Sequence, residues 1–168
     1  MPDMNDKSPD KSPDTRLRHE LRALLLKRNA HLSFEDVIEA FPIAAINERP
    51  PNTPYTFWHL VEHLRIAQAD ILDFIHNPHY QARDWPEGYW PDTAATATGD
   101  QWHASIDAFQ RDRAALVALV DDPHVDLHAE LPHAPGYTIL REILVIADHN
   151  AYHIGELGIL RQVMDLWD

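Results

Sequence analysis

Apolar residues recur at steps of three and four along most of this chain, and four stretches carry the pattern far enough to predict long helices. In TRLRHELRALLLKRN (15–29) the stripe is Leu17, Leu21, Leu24 and Leu25, with Ser12 or Asp14 placed to cap it and Pro13 near the first turn. In TFWHLVEHLRIAQADILDFI (56–75) it is Leu60, Leu64, Ala67, Ile71, Phe74 and Ile75, with Thr56 at the N-cap and Pro78 just past the end. GDQWHASIDAFQRDRAALVALVDD (99–122) repeats the pattern through Trp102, Ile106, Phe109, Leu116 and Val120, and Thr98 with Gln101 spells a capping box. TILREILVIADHNAYHIGELGILRQVM (138–164) is the longest. A shorter piece, SFEDVIEAF (33–41), opens on Ser-x-x-Asp and is stopped by Pro42.

No alternating run demands a sheet. The expected fold is therefore all-α: a four-helix bundle with the 33–41 helix lying alongside as an extra. Between the helices, 47–54 (NERPPNTP) reads as a loop and 123–136 as a connector. The segment 77–99, rich in Pro, Gly and aromatics, has no period. A loop this long either packs Trp85, Tyr89 and Trp90 over the end of the bundle or shapes a binding site. Residues 1–13 repeat Lys-Ser-Pro-Asp with few apolar side chains and read as a disordered tail, which leaves 14–168 as one bundle domain.

Composition narrows the chemistry. The chain has no cysteine, so disulfides, thiolate ligands and a cysteine nucleophile are excluded, and histidine and carboxylate remain as metal ligands. The net charge is −13, from 14 basic and 27 acidic residues, with no basic block. That argues against nucleic acid and against anionic membrane surfaces as partners. No apolar run approaches the ~20 residues of a membrane-spanning helix. The N-terminus lacks the apolar core of a signal peptide, so a cytoplasmic setting is expected.

Among the 12 histidines, His149 and His153 stand apart. They fall on one stripe of the last helix with Ile139, Ile146, Leu157, Leu160 and Met164. One turn apart, with Cβ atoms ~5–6 Å from each other, two imidazoles can converge on one ion at about 2.0–2.1 Å. A third ligand must come from another helix. In HLVEH, His63 lies beside Leu60 and Ala67 on the edge of the apolar arc, whereas His59 falls with Ile66, Asp70 and Asp73 and is expected to be exposed or peripheral. Three histidines leave a position for water or substrate, the pattern of catalytic sites. Glu142 and Glu156 are candidate partners for the outer ring nitrogens. Asp148 and His133 are candidate acid–base groups.

The segments TPYTFWHLVEHLRIAQADIL (53–72), WPEGYWP (85–91) and GYTILREILVIADHNAYHIGELGILRQVM (136–164) give the chain a further likeness. It resembles the DinB-like family, bacterial four-helix bundles with a three-histidine metal site. The resemblance places the family's metal histidines on His63, His149 and His153. It implies a divalent transition metal (nickel, zinc or iron among members), a homodimer and, in some relatives, a low-molecular-weight thiol as co-substrate. Two main functions follow as expectations. One is a metal-dependent enzyme, a hydrolase or thiol-dependent transferase, acting on a small-molecule substrate. The alternative is a non-catalytic, stress-associated bundle whose metal cross-links helices. A bundle whose histidines only hydrogen bond is the third.

Overall fold

The computed structural model of the protein describes residues 12–167. Residues 1–11, most of the expected tail, lie outside the described residues. The helices are α1 (Pro13–Leu26), α2 (Phe34–Ile38), α3 (Phe57–His76), α4 (Gly99–Asp121) and α5 (Ile139–Val163). The expected all-α bundle with a short extra helix is what the chain forms. One addition was not legible. The connector before α5 folds into an antiparallel hairpin of β1 (Glu130–Leu131) and β2 (Ala134–Thr138). Strands this short carry too few residues to show alternation.

Each helix starts where its sequence offers a cap. Ser12 Oγ accepts from the Thr15 amide, and Pro13 takes the first position, where its missing N–H costs nothing. Ser33 with Asp36 and Thr98 with Gln101 form the two capping boxes expected of them.

The side-chain links fix the directions of the helices. Along the α3–α4 seam, Trp58 and Glu62 meet Ser105, and Gln68 meets the Phe109 carbonyl, so these two neighbours run parallel. Along α3–α5, Tyr55 meets Glu156 and Gln68 meets Asn150, so that pair is antiparallel. α1 packs on α4 and α5, and its Arg18 and Arg22 reach the C-terminal end of α4. Parallel neighbours impose a length requirement. After α3, a helix of 20 residues and so ~30 Å long, the chain must travel back along the bundle before α4 begins. The long 77–98 segment is that return path.

The core falls into two clusters. Phe34, Phe57, Leu60, Leu64, Trp102, Phe109 and Leu157 fill one end. Leu21, Ile75, Leu116, Val120, Ile143 and Ile146 fill the other. Each fully buried aliphatic contributes roughly 1.5–3 kcal/mol. A polar level separates the clusters. Gln68, with no exposed surface, donates to the Phe109 carbonyl (2.6 Å) and accepts from the Asn150 amide (3.0 Å). The three candidate histidines lie at this level. Among the described residues no helix is long and apolar enough to cross a membrane.

Candidate metal centre

His63 projects from the middle of α3, and His149 and His153 project from successive turns of α5. Because α3 and α5 are antiparallel neighbours, the three rings converge. His63 Nε2 lies 3.0 Å from His149 Nε2 and 3.2 Å from His153 Nε2. The three ligand atoms all fall within 4.8 Å of one another, so the group could hold a metal ion.

The outer nitrogens say which atoms face inward. His63 Nδ1–H donates to the Tyr89 carbonyl at 2.8 Å, and His153 Nδ1–H donates to Glu156 Oε2 at 2.8 Å. A carbonyl and a carboxylate only accept, so each ring carries its proton on Nδ1 and turns an Nε2 lone pair into the centre. Two lone pairs 3.2 Å apart repel unless a cation lies between them. Four-coordinate bonds of 2.0–2.1 Å would set such nitrogens ~3.3 Å apart, close to the spacing found. The donor set therefore fits a divalent transition metal.

Electrostatics work the same way. Burial pushes His63 down to about 4, assisted by the neighbouring imidazoles and opposed by the Tyr89 carbonyl. Burial followed by His153 pushes His149 down to about 4. Both rings are neutral at pH 7; His63 keeps its proton on Nδ1, while the buried His149 Nδ1 has no hydrogen-bond partner among the described residues. Burial raises Glu156, but hydrogen bonds from His153 and Tyr55 outweigh it and hold the carboxyl below its ordinary value, so it stays ionised. Tyr55 donates its hydroxyl to Glu156 Oε1, extending the support from His153 to the residue before the α3 cap.

The return segment forms the roof. Trp90 stacks on His63, with ring centroids 3.8 Å apart and planes 4° from parallel, and Tyr55 stacks on Trp90. Asp70, buried on α3, holds the roof down. It accepts from the hydroxyls of Tyr80 (3.0 Å) and Tyr89 (2.8 Å) and faces Arg83 Nε at 3.3 Å. Beside His63 and His149 the roof leaves a cavity of about 220 Å³ between α3 and α5. Trp85 and Tyr89 line it, so the segment both packs over the bundle and shapes a pocket.

The sequence profile of the DinB superfamily matches residues 17–157. The chain belongs to the DinB superfamily. No curated protein and no solved structure matches it.

Within this DinB fold, several sequence expectations need correction. His59 is buried, with 2% of its surface exposed. Its Nδ1 accepts from the Thr56 amide in a capping box, and its Nε2–H donates to the Ala95 carbonyl (2.8 Å). The return segment covers that flank of α3, which a single-helix stripe cannot reveal. His59 still takes no place in the cluster. Glu142 is buried, but it pairs with Arg141. Seven residues from His149, it sits ~10 Å along the helix, beyond reach of the ring. Asp148 is exposed on the outer side of α5. His133 is half-buried in the hairpin and bonds the Phe74 carbonyl. Neither stands with the three histidines. The buried face of α5 is centred on Ile143, Asn150, Ile154, Leu157 and Arg161, so His149 and His153 lie at its edge, facing α3 and the roof. Sequence reasoning missed Tyr55 and Asp70 as supports, and it missed the use of a backbone carbonyl at Tyr89. The density of aromatics in 85–91 was the one available signal.

Proposed function

We propose that this DinB protein is a metal-dependent enzyme that binds a divalent transition metal through His63, His149 and His153 and acts on a small-molecule substrate. One observation carries the reading. His63 and His153, their protons committed outward, turn lone pairs into one centre, a nitrogen of His149 lies within 4.8 Å of both, and a cavity opens beside the group. A metal held there supplies a Lewis acid with a position free for substrate.

The protein's own groups do the rest. Tyr89 and Glu156 orient the rings, Trp90 shields His63 from water, and the cavity receives the substrate. The family resemblance favours nickel, zinc or iron, and hydrolysis or transfer to a thiol as the reaction. Any thiol must come from outside, since the chain has no cysteine. The same resemblance suggests a cytoplasmic homodimer. The apolar residues Tyr152, Ile159 and Val163, exposed along the outer side of α5, suit a second copy.

Elemental analysis of tag-free protein tests the assignment. About one transition metal per chain is expected, and His153→Ala should abolish it. Full occupancy in that variant, or a metal-free wild type after supply of nickel, zinc and iron, refutes the reading. If metal binds and raises the melting temperature but no substrate turns over, the cross-link of α3 to α5 becomes the better account.

A further inference from the structure

We propose that the cavity beside His63 and His149 selects a small, uncharged, mostly apolar body carrying a single donor group, with Trp85 covering it, and that it rejects anionic ligands of the same size. This specifies the substrate class of the site proposed above and rests on that reading.

Size comes first. At about 220 Å³ the cavity is smaller than the roughly 300–1,000 Å³ of most small-molecule sites. Its walls are Ala67 and Ile71 from α3 and Val145 and Ile146 from α5, with the two imidazoles at the inner side.

Charge comes next. Among the described residues no lysine or arginine lines this cavity, and the charged side chain that does is Asp70. Both Asp70 oxygens are engaged, one by Tyr80 and Tyr89 and the other by Arg83. Arg83, the cation that faces Asp70, is spent on that carboxylate and on the Gly88 carbonyl. Away from the metal position, a ligand carboxylate would lose its water, find no lysine or arginine to pair with and face the Asp70 charge. Burying an anion without a partner is strongly unfavourable. An apolar body has only surface to gain.

Trp85 supplies the third observation. It leaves 75% of its surface in water at the cavity, with its ring only tilted against Tyr89 at 5.5 Å, and Val145 beside the cavity is 41% exposed. Exposed apolar side chains scattered over a surface need no account, but a tryptophan and a valine at the walls of one pocket offer a face to cover. An aromatic or aliphatic ligand fills the space under both.

The test loads the full chain with cobalt(II), whose absorption reports thiolate ligation, and compares phenylmethanethiol with glutathione. Phenylmethanethiol should change the spectrum at concentrations at least about tenfold lower. Trp85→Ala should raise the concentration needed for phenylmethanethiol by about tenfold while cobalt content and the response to glutathione stay as they were. Equal or tighter binding of glutathione, or an equal effect of Trp85→Ala on both thiols, overturns the proposal. Failure to take up cobalt would strike the metal assignment instead, so a second measurement uses metal-free protein. Fluorine NMR compares 4-fluorotoluene with 4-fluorobenzoate, alike in size and different by one charge. Broadening of the neutral probe alone, lost in Trp85→Ala, supports the proposal; equal broadening of both probes, or none of the neutral one, overturns it.

Discussion

His153 shows how a single residue can be half legible. Its spacing from His149 is written in the chain, and so is Glu156 three residues on. What holds Glu156 in place, Tyr55, sits 101 residues away, and no local pattern links the two. His63 is similar: its ring is plain to read, but its partner is the carbonyl of Tyr89, a backbone atom that any residue type could supply. The carboxylate that orients a ligand histidine typically governs affinity by 10- to 100-fold. Glu156→Gln should therefore weaken metal affinity by about that factor, with full occupancy restored at saturating metal. Competition against a coloured chelator measures it. A purely structural glutamate would lower stability and leave the affinity alone.

Among elements, the capping boxes at Ser33 and Thr98 were readable because both partners lie within three residues. The 77–98 segment was not, because its course follows from α3 and α4 running parallel, a property of the assembled bundle. The misjudged burial of His59 has the same origin, since the segment buries it from outside through Ala95. Asp70 is the post to which this segment is tied. Hydrogen bonds to a charged acceptor contribute about 1.5–3 kcal/mol each, so Asp70→Ala should free the segment more than the helices. Trypsin should then cut after Arg83 at least about tenfold faster than in the wild type, with helical circular dichroism unchanged. Unaltered cleavage would mean that the Trp90 stack and the His59 contact hold the roof without Asp70.

For the whole molecule, the centre couples folding to pH. His63 and His149 titrate near 4 when folded and near 6.5 when unfolded. Between those values the unfolded chain binds more protons, so stability rises with pH. The contribution is complete above about 6.5 and is lost as pH falls toward 4; the lowered Glu156 acts in the same sense. Urea midpoints of metal-free protein should thus fall between pH 7 and pH 5, and the slope should flatten in His149→Phe. A midpoint independent of pH in that range would contradict the burial of the neutral rings. The parallel pairing of α3 and α4 has one more consequence. It demands a connection of a certain length but dictates little of its wording between the Asp70 tether and the Trp90 stack. Changes confined to Trp85 would therefore alter what the cavity admits while Arg83 and Tyr89, on either side, keep the segment tied to α3.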